Sequence, residues 1–276
     1  MFKLFKVSLA LTVLTGAMML SACQARKAKT SYANMISATK TMQICPGFAR
    51  GATADKIVAL TFDDGPSIYT EELLKVLAKH QVPATFFVIG ENAQRHPAIL
   101  TKITEQGHVV ANHTYGHRNL VKLEGWRVVS TLVNTNEIIY QHTGRYPRWF
   151  RSPYGSCNVA TIEAANTVNM TSINWSSATD DYHSHTTSPT KIANEIMAQI
   201  KPGTIIDLHD GGGDRHKTVA AVELIIKRLK AAGYKIVPLT ELIKQPAYFT
   251  AREWKRQLRL AGPKLEPIPL VMPVTD

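Results

Sequence analysis

From Lys56 onward the chain alternates short apolar runs with amphipathic stretches, and that alternation constrains its fold more than any other feature. Ile57-Val58-Ala59-Leu60-Thr61-Phe62 is a continuous apolar run of the kind found in strands buried on both faces. Thr70 is expected to cap a following helix, with Glu71 and Glu72 in its first turn and Leu73, Leu74 and Leu77 turned inward. Further strands are predicted at 82–89, 109–111, from Trp149, at 170–175, 203–208 and 234–239. Helices are predicted from Pro97 to Gly107, over about 124–142, from Ser188, and through Val222–Leu229 to a stop at Gly233. About seven strand–helix units imply a parallel sheet. The predicted fold class is therefore α/β, a deformed parallel (β/α) barrel of about seven strands, with a doubly wound open sheet as the alternative.

The length of 276 residues, 45% of them hydrophobic, suits one barrel-sized core better than two small ones. Residues 1–22 read as a signal peptide. Lys3 and Lys6 precede an apolar run, Leu9 to Leu20, that is too short for a comfortable membrane span. Leu20-Ser21-Ala22-Cys23 resembles a lipobox, which predicts an exported lipoprotein held at a membrane by lipid on Cys23; a plain cleaved signal is the other reading. Residues 23–54 read as a tether and lead-in, 55–245 as the main domain, and 246–276 as a tail. In that tail Phe249, Trp254 and Leu258, with Arg252, Lys255, Arg256 and Arg259, fit a basic amphipathic helix packed on the barrel. An oxidising compartment permits a disulfide between Cys45 and Cys157; two buried free thiols are the alternative. The net charge of +11 favours anionic partners. No nucleic-acid motif or long Lys/Arg cluster accompanies it, so nucleic acid is not an expected partner.

Functional side chains of a parallel barrel gather where strands end and loops begin. Asp63-Asp64-Gly65-Pro66 closes the first run, two adjacent carboxylates able to take different jobs, with a polar turn as the plain alternative. His113-Thr114-Tyr115-Gly116-His117 follows the third strand; in a turn of helix, both imidazoles would project to one side. With Asp64 they make a two-histidine, one-carboxylate set that leaves coordination positions open, as a catalytic metal site requires. Arg151 ends the next strand and can orient a carboxylate base. His209 ends Ile206-Asp207-Leu208-His209 and can deliver a proton to a leaving amine.

In this order the motifs resemble those of the polysaccharide deacetylase family, also called the NodB-homology domain or carbohydrate esterase family 4. The resemblance runs from about Lys56 to Leu242 and includes His209-Asp210-Gly211-Gly212-Gly213-Asp214-Arg215. It implies a metal-dependent hydrolase of acetyl groups on acetylated glycans. Asp64, His113 and His117 would hold one divalent metal, usually Zn2+, with Co2+, Ni2+ and Fe2+ as alternatives. Asp63 would be the general base, positioned by Arg151, and His209 the general acid. The backbone N–H of Tyr154 would help stabilise the oxyanion, and Leu208 and Trp175 would wall the pocket for the acetyl methyl.

One departure stands out. Where the family places an aspartate after Trp175, an ungapped reading puts Ala178. Asp181 and Tyr182 fit the family's second acid and aromatic. Either Asp180 substitutes as partner of His209, or His209 is less basic than usual. Peptidoglycan is the first substrate expectation, with chitin oligomers, exopolysaccharide or acetylated xylan next. A non-catalytic, metal-containing glycan-binding protein is the alternative function. The other histidines match no motif position and read as surface or structural; His183 and His185 lie nearest the variable region after Trp175.

Overall fold

The computed structural model describes residues 43–183 and 187–262. The signal segment, Cys23, His185 and the Pro-rich end lie outside the described residues. Strand β1 (Gln43–Ile44) precedes β2 (Ile57–Asp63), the strand on which the rest is built. Then come α1 (Ile68–His80), β3 (Thr85–Val88), α2 (Gly90–Arg95), α3 (Pro97–Glu105), β4 (Val109–Asn112), α4 (Gly125–Thr143), β5 (Tyr146–Pro147) and β6 (Trp149–Phe150). They are followed by β7 (Ser156–Cys157), α5 (Val159–Thr167), β8 (Thr171–Ser172), α6 (Pro189–Gln199) and β9 (Ile205–His209). The order closes with α7 (His216–Ala231), β10 (Lys235–Ile236), α8 (Leu239–Ile243), β11 (Tyr248–Phe249) and α9 (Ala251–Ala261).

Seven strands form the main sheet, and every pairing in it is parallel. β2 pairs with β3, β9 and β10; β4, β6 and β8 continue from β3. The sheet curls into an incomplete barrel with helices outside, as the strand–helix alternation predicts. Side-chain alternation divides its two faces. Val58, Leu60, Phe62, Ile206 and Leu208 pack outward against Leu73, Leu77, Val222 and Ile225 of the helices. Ala59, Phe87, Ala111, Trp149 and Ile205 fill the inner face.

Some boundaries differ from the sequence reading. Ser67, not Thr70, caps α1; Thr70 sits three residues inside and returns a hydrogen bond in a capping box. The lead-in from Gln43 onward belongs to the fold. β1 pairs antiparallel with β7, Phe48 N–H donates to Ser172 O at 3.2 Å, and a disulfide joins Cys45 to Cys157. The tail to residue 261 is stitched in too. β11 pairs antiparallel with β5, and Trp254 is fully buried, donating from Nε1 to Glu137 at 2.6 Å. As the amphipathic spacing predicts, α9 packs its apolar face inward and leaves Arg252, Lys255, Arg256 and Arg259 exposed.

Candidate metal centre and catalytic cleft

The loops leaving the strand ends surround a cleft of about 750 Å3, lined by Asp63, Asp64, His113, His117, Trp175 and His209 among others. β2 delivers Asp63 and then reverses sharply at Asp64, whose φ is 73°. That left-handed conformation disfavours a non-glycine residue and needs external support. Asn92 Nδ2 donates to Asp64 O at 2.7 Å, and Gly65 N–H donates to the buried Asp210 Oδ1 at 3.1 Å. Gly211 packs so closely that a Cβ there would collide with Asp64 O.

His113 and His117 do not occupy a turn of helix, as the sequence reading had them. They lie in an irregular loop after β4, where Thr114 (φ 68°) and His117 (φ 52°) both take left-handed backbone. Thr114 N–H is satisfied by Asn112 Oδ1 at 2.8 Å, an interaction that competes with helix formation. The loop still brings the two rings together, with centroids 5.0 Å apart. His113 Nε2 is 3.4 Å and His117 Nε2 3.3 Å from Asp64 Oδ1. His113 Nδ1 is 2.9 Å from Arg151 O, which can only accept, so the proton is on Nδ1 and Nε2 is left as a ligand.

Asp64, His113 and His117 each offer an atom within 4.8 Å of the others. Asp64 Oδ1 is buried and has no hydrogen-bond partner. An orphaned buried carboxylate oxygen facing two imidazole nitrogens is the donor set a divalent cation fits. Burial pushes the Asp64 carboxyl up, but the close approach of His113 and the His113, His117 and His209 charges outweigh it and hold it well below the usual range. Burial pushes His113 down, yet Asp63 and Asp64 leave it raised overall; burial and the His113 charge lower His117.

Two further groups flank this centre. Arg151 is fully buried and its Nη1 donates to Asp63 Oδ1 at 2.8 Å. Its Nε and Nη2 are fixed by Ile173 O at 3.1 Å and Asn174 O at 3.2 Å. His209, opposite Asp63 in the β2–β9 register, is gripped by a carboxylate.

The sequence and fold have counterparts among known proteins. The polysaccharide deacetylase family model matches residues 50–173. A peptidoglycan-N-acetylglucosamine deacetylase of Bacillus cereus is 36% identical over 189 residues, 68% of either chain. The chain belongs to the polysaccharide deacetylase family. The crystal structure of a peptidoglycan N-acetylglucosamine deacetylase bound to a substituted N-oxidanyl-benzamide superposes with a TM-score of 0.70 at 34% identity, covering 73% of this chain and 94% of that one. A family pseudoenzyme from Bacillus anthracis superposes with a TM-score of 0.65 at 31% identity, covering 70% and 67%. In this family, then, the fold alone does not carry activity; the side chains decide it.

In this polysaccharide deacetylase the partner of His209 is Asp181, not Asp180. Asp181 Oδ1 lies 2.8 Å from His209 Nδ1, and its Oδ2 accepts from His209 N–H at 2.9 Å and Thr218 Oγ1 at 3.0 Å. Asp180 instead accepts from the Tyr182 hydroxyl at 2.9 Å. The expectation of a less basic His209 is overturned with it. Burial works against the charged ring, but the Asp181 hydrogen bond and charge, with Asp207 and Asp63, raise it to about 10.

Leu208 does not wall the cleft. It sits between Asp207 and His209 on a strand, so it points the opposite way, into the helix-facing core, and is fully buried there. Asp207 occupies the cleft side instead, a residue the sequence reading passed over. Trp175 and Tyr154 do line the cleft, and Tyr154 has a left-handed φ of 62°. Arg215 was also missed. It is buried and clamps the glycine-rich turn by donating to Gly211 O at 2.6 Å, Gly212 O at 3.1 Å and Asp181 O at 3.4 Å.

Proposed function

We propose that this deacetylase removes N-acetyl groups from N-acetylglucosamine-containing polysaccharide, peptidoglycan first, with chitin-type oligomers or exopolysaccharide next. The observation that carries the reading is the convergence of Asp64, His113 and His117 around the orphaned Asp64 Oδ1, between an arginine-paired Asp63 and an aspartate-paired His209. Those three residues would hold one divalent cation, Zn2+ by preference, while Co2+, Ni2+ and Fe2+ suit the same donors. Such a cation supplies Lewis acidity, polarising an amide carbonyl and making water nucleophilic near neutral pH.

The chain's own residues supply the rest. Asp63, 3% exposed and oriented by Arg151, takes the proton from the attacking water. Tyr154 offers its backbone N–H to the oxygen that gains charge, an interaction of about 3 kcal/mol where such donors have been removed. His209 holds its Nδ1 side against Asp181, so Nε2 is the atom that protonates the departing amine. A proton donor must be charged before it acts, and the Asp181 pairing keeps it so at neutral pH. Trp175 contributes apolar wall. The non-catalytic alternative leaned on Ala178; Asp181 fills the role that Ala178 left open.

The proposal includes export and lipid attachment at Cys23, supported by the signal and lipobox pattern, which would bring the cleft to envelope glycans. Retention of a Cys23→Ala variant in the membrane fraction would rule the lipid out. For the reaction, zinc-loaded protein should release acetate from peptidoglycan or chitooligosaccharides. Asp63→Asn and His209→Ala should lose release while keeping glycan binding. No release from peptidoglycan, chitooligosaccharides or acetylxylan, with zinc stoichiometrically bound, would refute the enzyme reading.

A further inference from the structure

The mechanism uses Asp63, Asp64 and Asp181, yet the cleft holds a fourth buried carboxylate. Asp207 is 4% exposed and lines the cleft from β9, on the same face as His209. Its N–H donates to Ser177 O at 2.8 Å and its Oδ1 accepts from Arg151 Nη1 at 2.6 Å. Among the described residues Oδ2 has no partner, and it is not one of the buried orphaned atoms, so it borders the open cleft. Arg151 Nη1 is already shared with Asp63 Oδ1 at 2.8 Å and Thr61 Oγ1 at 2.9 Å, so it cannot turn to cover that second oxygen.

On the reading above, water attacks from the Asp63 side and the amine leaves beside His209. On that reading the acyl substituent takes the remaining side of the cleft, whose lining includes Trp175 and Asp207. A methyl group cannot hydrogen-bond there, whereas a hydroxyl can. A buried polar group left unpaired by a bound substrate costs affinity, and sites that pair with a substrate hydroxyl reject analogues lacking it. Burial and the Asp63 charge push the Asp207 carboxyl up to about 7, and in either protonation state it pairs with a hydroxyl and not with a methyl.

We propose that Asp207 determines acyl specificity, presenting a hydrogen-bonding oxygen to the acyl group so that the site takes hydroxylated short acyl groups of the N-glycolyl kind and discriminates against the equal-sized N-propionyl. This rests on the deacylation reading and extends it to the acyl group. The step balances as for acetyl: water oxygen bonds to the amide carbon, the C–N bond breaks, glycolate leaves and the amine keeps the proton donated to it.

N-glycolyl and N-propionyl differ by OH for CH3 and little in size, so they isolate the hydrogen bond. For zinc-loaded full-length protein, kcat/KM for an N-glycolyl glucosamine trisaccharide should exceed that for the N-propionyl trisaccharide by roughly 30-fold or more. In Asp207→Leu the ratio should fall to about one or below, because an apolar pocket disfavours a hydroxyl against its methyl isostere by up to roughly 100-fold. Asp207→Asn, which still pairs with a hydroxyl, should keep most of the preference and stands in if the leucine variant fails to fold. The same pair is measured by calorimetric binding to His209→Ala protein, a readout independent of turnover. Should the wild-type enzyme hydrolyse neither of these nor the N-acetyl trisaccharide, the parent reading falls, and the binding ratio still decides this one. A wild-type glycolyl-to-propionyl ratio near one, or a ratio unchanged in Asp207→Leu, overturns the assignment.

Discussion

Replacing Asp181 by asparagine removes the charge that holds His209 protonated while keeping the side chain's shape. The wild-type ring is raised to about 10, with Asp181 the foremost of the groups that raise it. A hydrogen bond to a charged group contributes about 1.5–3 kcal/mol, and ~1.4 kcal/mol corresponds to one pKa unit. Losing the Nδ1 contact should therefore lower His209 by ~1–2 units. A bound divalent cation also disfavours the charged ring, so the loaded enzyme loses its acid below the value of the metal-free site. The alkaline limb of kcat/KM should move down by ~1–2 units in Asp181→Asn, with little change on the acid side. Acetate release across a pH series at saturating zinc measures it. Asp180→Ala, whose carboxylate accepts from the Tyr182 hydroxyl, should leave the limb in place. The reasoning is refuted if the limb stays put in Asp181→Asn or moves in Asp180→Ala. The sign also fixes a stability trend. The raised His209 adds stability that is complete below its ordinary value of 6.5 and disappears as pH rises through about 10. Wild-type protein should lose its margin over Asp181→Asn in that window, as urea midpoints would report.

Three further outcomes follow from the packing. Arg151→Met leaves Asp63 and Asp207 buried without their counter-charge, and should destabilise the fold by about 3–5 kcal/mol in denaturant unfolding. A loss under ~1 kcal/mol would mean that solvent reaches both acids. Leu208→Ala opens a hole in the helix-facing core, so unfolding should show a cost of about 2–5 kcal/mol with substrate preference unchanged. A change in acyl preference there would return Leu208 to the pocket wall. Reducing the Cys45–Cys157 bond, which closes a segment with a sequence separation of 112, should cost about 2–4 kcal/mol, read as a lower melting temperature under reductant. An unshifted melting temperature would show the β1–β7 ladder suffices without it.

The strand–helix order and the grouping of Asp64, His113 and His117 were legible because each rests on a local rule. A buried parallel strand reads as an apolar run, and chemistry gathers at its end. The misreadings come from contacts that cross the chain. No spacing rule says which of Asp180 and Asp181 faces His209, since a long loop joins β8 to α6 and Arg215 of a later turn fixes its course. The histidine loop looked helical by spacing, but Asn112 and the left-handed Thr114 and His117 gave its backbone other partners. Leu208 was a different kind of miss. The period-two rule for strands excludes it from the face that carries His209 and nominates Asp207, so the sequence held the correction in plain view. The early boundary at Gln43 was hidden because a two-residue strand carries almost no pattern.

That first short strand has a mechanical consequence. Cys45 is bonded to Cys157, three residues past Tyr154, and Cys45 N–H donates to Gly155 O at 3.1 Å. A pull on the amino-terminal end of the chain is therefore intercepted at the sulfur bridge before it can peel β2 from the sheet. The load arrives instead at the rim of the cleft, on the turn that carries Tyr154, so traction on this chain and the shape of that rim are coupled through a covalent bolt.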